Sequence, residues 1–260
     1  MFGTVVVGVG IAGSVRIRDL LNPLSSSPAE HLKLVGFVSR RPLSDVQQAN
    51  QISLQEALDN QEVHAAVIST DNKNHEESIR MFLEAGKHVL VEYPMALSAK
   101  AAHQLWAMAD QKGGPLDEER SGFPAFSGIA RLTWLVDLFG NLTVVSAARE
   151  EQKEKNYSRM TVQFQTANKR PLTWIEERAP GMKRDKTVNF CFKSGCLESL
   201  PEAPRAAVGL FMQDLILFAK KLLGQVSKDE LAAEKRRILR CLDLADEIQA
   251  HCEQTPKIYS

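Results

Sequence analysis

Short apolar runs alternate with segments of helical spacing over the first 112 residues of the chain. The runs are rich in β-branched residues, which is typical of buried parallel strands, and the apolar positions between them recur with the period of a helix. Strands are predicted for residues 4–7, 32–39, 63–70 and 87–92, and helices for residues 14–21, 53–60, 76–85 and 98–112. Ser53 and Glu56 are predicted to form a capping box at the start of the second of these helices. Alternation of this kind indicates a doubly wound α/β domain.

The first predicted strand ends in a glycine turn formed by Gly8, Gly10 and Gly13. In such a turn the first glycine permits the bend, the second lets the backbone approach a pyrophosphate, and the third lets the helix pack on the strand. The first helical amides, those of Ile11, Ala12 and Gly13, then face the phosphates. We therefore predict a dinucleotide site, with a turn of purely structural role as the alternative.

The end of the second predicted strand bears on the choice of coenzyme. An NAD-selective site has an acidic residue there to accept hydrogen bonds from the ribose 2′-hydroxyl, whereas this chain has Ser39, Arg40 and Arg41. A hydroxyl beside two guanidiniums suits a 2′-phosphate, so NADPH is the preferred coenzyme and NADH the second choice. Two solvated arginines at a strand end are the alternative.

Polar residues also follow the third and fourth predicted strands, at the edge of an α/β sheet where ligands bind. Thr70 and His75 are predicted to line the nicotinamide end of the site, although His75 could equally be an exposed residue at the start of a helix. Glu92, at the end of the fourth strand, completes the predicted coenzyme-binding set.

The second half of the chain has a different pattern. Helices are predicted for residues 129–139, 211–223 and 227–252, and strands of alternating character for residues 142–150, 159–166, 173–177, 187–193 and 196–200. Successive strands after a βαβ region indicate an antiparallel or mixed sheet. The predicted fold is α/β, with a Rossmann-type parallel sheet in residues 1–114 and an α+β domain containing a large mixed or antiparallel sheet in residues 115–260.

The amino-acid composition disfavours some classes of binding partner. The 32 basic and 32 acidic side chains cancel, so no general attraction to nucleic acid or an anionic membrane is expected. No apolar run reaches the roughly 18 residues of a membrane span, and no cleavable leader is visible. Four irregularly spaced cysteines do not indicate a disulfide scaffold and fit a reducing compartment. We expect a cytoplasmic protein and favour a monomer.

Several longer motifs carry a resemblance to a known family. The glycine turn and the stretches AGKHVLVEYPM, GFPAFSGIARLTWLVDLFG and KKLLGQVSKDELAAEKRRIL resemble the biliverdin reductases, a branch of the glucose-fructose oxidoreductase/inositol dehydrogenase family. The likeness spans nearly the whole chain. It implies that NAD(P)H passes a hydride to the central methine bridge of biliverdin while a pyrrole nitrogen gains a proton, which yields bilirubin in the final step of haem degradation.

Residues 113–120 are shorter than the corresponding segment of that family. The family places a strand, a helix and the first strand of the second domain between the helix ending near residue 112 and Phe123, where this chain has only GGPLDEER in residues 113–120. A βαβ crossover needs at least about 10 to 12 residues. An internal segment near Gly114 is therefore predicted to be missing, and with it the last strand of the first domain. A non-catalytic or impaired NADPH-binding or scaffold variant is the alternative function.

The family's sugar-oxidising members deprotonate an alcohol with a lysine in a Glu-x-Pro motif and an Asp and a His on a later helix. By resemblance those positions hold Tyr93, Phe126 and Ala130 in this chain. Without a base, alcohol oxidation has no proton acceptor. A sugar or diol dehydrogenase is therefore disfavoured.

Arg131 and Tyr93 are the predicted catalytic residues. Arg131 matches the family's proton-donating or polarising arginine, and Phe123, Phe126 and Trp134 are predicted to form an aromatic surface beside it. Because arginine is a poor acid, it would act electrostatically or through water. Tyr93 is predicted to position the substrate or donate a hydrogen bond. An ion-paired arginine and a packing tyrosine are the alternatives.

The last predicted helix has few of the side chains that a zinc site needs. Cys241, His251 and Cys252 resemble a zinc site proposed for the family, but Arg240 lies where a second histidine would be useful. A structural zinc ion needs about four convergent ligands. The sequence therefore predicts no metal ligands.

Overall fold

The computed structural model describes residues 1–43, 46–112, 123–182, 187–199 and 208–254. A parallel sheet in the order β2-β1-β3-β4 is built from β1 (Phe2–Val7), β2 (Leu32–Val38), β3 (Ala65–Ile68) and β4 (His88–Val91). The helices of this half are α1 (Ile11–Leu21), α2 (Leu54–Asp59), α3 (His75–Glu84) and α4 (Ala99–Lys112). The predicted order of elements is confirmed, and the predicted capping box of α2 forms between Ser53 and Glu56.

The parallel sheet is buried on both faces, which explains its continuous apolar runs. Val5 and Val7 belong to one core cluster together with Phe82 of α3 and Leu105 of α4. Val6, between them, points to the opposite face and joins a second cluster.

The α-helices in the described residues of the second half are α5 (Pro124–Ser127), α6 (Ile129–Phe139), α7 (Leu210–Leu222) and α8 (Lys228–Gln254). Its strands β5 (Leu142–Gln152), β6 (Tyr157–Thr166) and β7 (Pro171–Arg178) form an antiparallel sheet, and β8 (Phe190–Phe192) and β9 (Gly195–Leu197) form a separate hairpin. The fold class is confirmed. In the described residues, however, the antiparallel sheet has three strands rather than the large sheet predicted.

Helix α8 joins the two sheets into one core. Its Leu242, Leu244 and Ile248 are fully buried in the same cluster as Val5 of β1 and Val162 of β6. The apolar stripe of this helix is therefore core packing.

Helix α7 lies in the half of the chain assigned to the second domain but packs against the first. Its Leu215 and Phe218 are buried in the cluster that contains Val6 and Ile17. The C-terminal half therefore supplies a helix to the parallel sheet.

The cysteines differ in part from the prediction. Cys191 and Cys196 form a disulfide within the β8–β9 hairpin, while Cys241 and Cys252 are buried thiols. The disulfide joins neighbouring strands and no distant parts of the chain, so it is not a scaffold.

The predicted missing segment lies at residues 113–120, which are outside the described residues. None of the described helices combines the length and apolar character needed to cross a bilayer.

Candidate active site

The glycine turn lies between β1 and α1 and leaves open space at its centre. Gly8 has a φ of +92°, and a Cβ there would lie 2.8 Å from the Ser69 carbonyl oxygen. At Gly13 a Cβ would lie 2.0 Å from the Gly8 carbonyl oxygen. A Cβ at Gly10 would meet no atom within 4 Å. The outer glycines are thus needed for the fold, whereas Gly10 borders space that a ligand could fill.

The N-terminus of α1 is suited to an anion. Gly10 is its N-cap and has no side chain with which to cap it, and the first turn carries no acidic residue. Ile11 is exposed, Ala12 is half-buried and Gly13 is buried, and their amides are those that a helix leaves without intrahelical acceptors. Phosphate oxygens are the ligands that such a helix end binds.

Two hydroxyls lie at the end of β3, beside the glycine turn. Ser69 Oγ and Thr70 Oγ1 are both buried and have no hydrogen-bond partner among the described residues. Because buried polar atoms are normally paired, their arrangement fits a ligand with polar groups, such as a nicotinamide dinucleotide. The sequence prediction included Thr70 and missed Ser69, although a hydroxyl at a strand's carboxyl end was a usable signal.

The predicted 2′-phosphate residues lie at the end of β2. The amide of Arg41 donates to Ser39 Oγ at 3.2 Å, which makes a tight turn. The Arg40 guanidinium lies 3.9 Å from the Asp71 carboxylate, and both side chains are exposed. An exposed pair of this kind is weak, so Arg40 remains available to an anionic ligand.

His75 begins α3 but is buried, with only 1% of its surface exposed. The alternative of an exposed residue at the start of a helix is therefore wrong. Its Nδ1 lies 3.0 Å from the Pro94 carbonyl oxygen and its Nε2 lies 2.9 Å from the Thr70 carbonyl oxygen. Burial lowers the pKa of His75, although both carbonyl contacts act in the opposite direction. The ring thus joins the end of β3 to the turn after Tyr93, and direct contact with the nicotinamide stays a prediction.

Glu92, whose contact with the coenzyme stays a prediction, has its carboxylate paired with Arg16. Nε of Arg16 donates to Glu92 Oε1 at 2.8 Å, and the same guanidinium donates to the Phe211 carbonyl oxygen at 2.7 Å and to Asp214 Oδ2 at 2.8 Å. Burial acts to lower the pKa of Arg16, but the two carboxylates raise it overall. This geometry favours a structural role for Glu92. The sequence predictions missed Arg16, which lies one helical turn before the buried Leu20.

Arg131 lies in the first turn of α6 and forms an ion pair with Glu176 of β7, with Nη1 and Oε1 3.2 Å apart. Tyr93 is half-buried against the core that α5 and α6 share.

Of the three side chains predicted to form an aromatic surface, Phe126 is 1% exposed, so the prediction that it contributes to that surface is wrong. Phe123 and Trp134 are half-buried. Phe126 faces inward because the short helix α5 packs against α8.

The described residues do not fit a zinc site. They contain no group of three or more His, Cys, Asp or Glu side chains that could hold a metal ion. Burial raises the pKa of Cys252 to about 11, which favours a protonated thiol over the thiolate that zinc binds.

Comparison with known families agrees with this two-part architecture. Residues 2–118 match the oxidoreductase family with an NAD-binding Rossmann fold, and residues 107–204 match the catalytic family of biliverdin reductase. The class is therefore that of NAD(P)H-dependent oxidoreductases, in which a Rossmann domain precedes a sheet domain.

Individual relatives narrow the class. The chain is 52% identical to biliverdin reductase A of Homo sapiens over 96% of each chain, and 50% identical to biliverdin reductase A of Mus musculus over 97% of each. This chain belongs to the biliverdin reductase family. A crystal structure of biliverdin reductase from Synechocystis sp. PCC 6803 with biliverdin and NADP+ shares the fold, with a TM-score of 0.75 at 19% identity, covering 96% of this chain and 98% of that chain.

The alignment with the human relative also bears on the predicted missing segment. It spans 287 positions, and because 287 exceeds the 260 residues of this chain by 27, at least 27 positions have no residue here. This difference is in line with an internal segment that the relative has and this chain lacks.

Proposed function

We propose that this chain reduces biliverdin to bilirubin with NADPH as the preferred coenzyme. The observation that carries the proposal is the identity of about half of the residues to biliverdin reductase A over nearly the full length of both chains. The reaction adds one hydride to the central methine carbon and one proton to a pyrrole nitrogen. The nicotinamide, when bound, supplies the hydride from its C4.

The residues of the first half bind and orient the coenzyme. The amides that follow Gly10 receive the pyrophosphate, and the hydroxyls of Ser69 and Thr70 accept or donate hydrogen bonds at the adjacent strand end. Arg40 and Arg41 provide the positive charge that a 2′-phosphate requires, which supports the preference for NADPH.

Arg131 of the second half and Tyr93, which follows β4 of the first half, act on the substrate. Hydride arrival leaves electron density on a pyrrole nitrogen, and the fixed positive charge of Arg131 stabilises it until a proton arrives from water. Arg131 does not release a proton in this step, which fits the very weak acidity of guanidinium groups. Tyr93 positions the tetrapyrrole against the core.

The direct test mixes the purified chain with NADPH and biliverdin and follows the absorbance band of bilirubin. We expect turnover at neutral or alkaline pH, and less turnover when NADH replaces NADPH at equal concentration. Binding of NADPH without any bilirubin would overturn the proposal and support the impaired or scaffold variant suggested by the shortened interval. A cytoplasmic location and a monomeric state stay predictions from the sequence.

A further inference from the structure

A carboxylate lies on the buried face of β7. Along this strand Trp174 and Glu176 are buried, while Thr173, Ile175 and Glu177 between and beside them are exposed. Acidic side chains are seldom buried without a partner, because removal from water disfavours the charge. The alternation in β7 therefore indicates that Glu176 is placed inward for an interaction.

The start of α6 is held against the same face of β7. Gly128, the N-cap of α6, lies so close to Trp174 that a Cβ there would be 2.6 Å from the indole ring. Arg131 follows Gly128 by three residues along the helix and Glu176 follows Trp174 by two along the strand, and both steps advance by about 4.5 to 7 Å. The close approach at Gly128 thus places the Arg131 guanidinium beside the Glu176 carboxylate, at 3.2 Å.

The two ends of this pair differ in exposure. The Glu176 side chain is 9% exposed, whereas the Arg131 side chain is 35% exposed. A guanidinium has five N–H donors, so one contact with Glu176 leaves others for a ligand. The neighbouring cation Arg149 is paired with Glu151 and lies over the Phe123 ring at 5.3 Å, so it is engaged elsewhere.

We infer that Glu176 is a positioning residue for biliverdin reduction, which acts by anchoring Arg131 in the orientation that stabilises the developing charge on the substrate. The inference rests on the proposed function. An unanchored arginine side chain has many rotamers, and ordering it costs conformational entropy. Because Glu176 orders Arg131 before the reaction, this cost is not added to the barrier of the hydride transfer.

The test compares three variants in steady-state and coenzyme-binding assays. In Glu176→Ala we expect kcat to fall by about 10- to 100-fold, as for the loss of a hydrogen bond to a charged group, while the dissociation constant for NADPH stays unchanged. Glu176→Gln keeps an oxygen acceptor and should recover part of the loss. Glu177→Gln is the matched control, because it is adjacent on β7 but exposed and hydrogen-bonded to Tyr157, and it should turn over like the unmodified chain.

A double-variant cycle separates positioning from a general structural effect. If Glu176 acts through Arg131, Glu176→Ala should lower kcat much less when Arg131→Ala is already present. An unchanged kcat in both Glu176 variants, or an equal loss with and without Arg131, would overturn the inference. Absence of turnover in the unmodified chain would instead overturn the proposed function, and the inference with it.

Discussion

At the glycine turn, adding one methyl group at Gly10 or at Gly13 separates the effect on coenzyme binding from the effect on folding. We expect Gly10→Ala to fold normally, because a Cβ there meets no atom of the protein within 4 Å, but to bind NADPH at least about tenfold more weakly because the methyl fills the pyrophosphate space. Gly13→Ala should lower the melting temperature, since its Cβ would lie 2.0 Å from a carbonyl oxygen. Thermal melts and NADPH titrations of both variants check this. Unweakened NADPH binding by Gly10→Ala would contradict the assigned coenzyme position.

Arg131 is the residue on which the chemistry of the proposed reaction depends most. Replacing it by Ala should slow turnover by roughly 10²- to 10³-fold, as when one charge-stabilising donor is removed, with little change in NADPH affinity. Arg170→Ala is the control, because Arg170 is an exposed arginine in the connection between β6 and β7. Steady-state kinetics with biliverdin decide the matter, and equal kcat values for the two variants would remove Arg131 from the mechanism.

The sequence predicted residues well where local spacing determines their role. The glycine turn and the Ser53–Glu56 capping box depend on neighbours within a few positions, so their pattern is visible in the chain. The burial of His75 and Phe126 was harder to predict, because burial of a residue near the start of a helix depends on which distant element packs over it. Glu176 could have been noticed, since it shares the buried phase of β7 with Trp174.

Among the elements, α1, β4 and α7 meet at one buried guanidinium. Arg16 of α1 pairs with Glu92, which follows β4, and with Asp214 of α7. Because the helix after the glycine turn and the turn that contains Tyr93 are both fixed to this group, Arg16 sets the relative position of the coenzyme and substrate residues.

Removal of Arg16 should therefore destabilise the whole fold. We expect Arg16→Leu to lower the free energy of unfolding by about 3 to 5 kcal/mol, because it leaves the Glu92 charge buried without its guanidinium. Arg80→Leu, which breaks a partly exposed pair with Glu76 within α3, should cost less than about 1 kcal/mol. Urea unfolding measures both. A loss in Arg16→Leu no larger than that in Arg80→Leu would show that the cluster is not a structural anchor.

The positions of the helices and strands along the chain were predictable from the sequence, whereas the sheet against which a given helix packs was not always predictable. Most predicted boundaries lie within three residues of the observed ones, because the apolar periods are strong. The docking of α7 on the parallel sheet was not predicted, since an amphipathic pattern shows that a helix has a buried face and not which sheet covers it.

For the molecule as a whole, two histidines make stability depend on pH. Burial lowers the pKa of His75 and of His88, and the nearby His64 lowers that of His88 further. Since an unfolded histidine has a pKa of about 6.5, the unfolded chain binds more protons than the folded chain below that pH. Stability should be fully present above about pH 6.5 and should fall as the pH drops toward the folded pKa values, by up to about 1.4 kcal/mol per pH unit for each histidine.

Urea unfolding at about pH 7.5 and about pH 5.5 tests this dependence. His88→Gln should reduce the difference between the two pH values, whereas the exposed His31→Gln should leave it unchanged. Equal differences in His88→Gln and in the unmodified chain would show that His88 does not contribute.

The central claim is that the chain aims the C4 hydrogen of NADPH at the central methine carbon of biliverdin. The most direct measurement incubates the unmodified chain with biliverdin and NADPH deuterated at both C4 positions, and then determines the mass and the position of label in the product. We expect bilirubin that carries one deuterium at its central methylene carbon. Bilirubin without that deuterium, or no bilirubin at all, would contradict the claim.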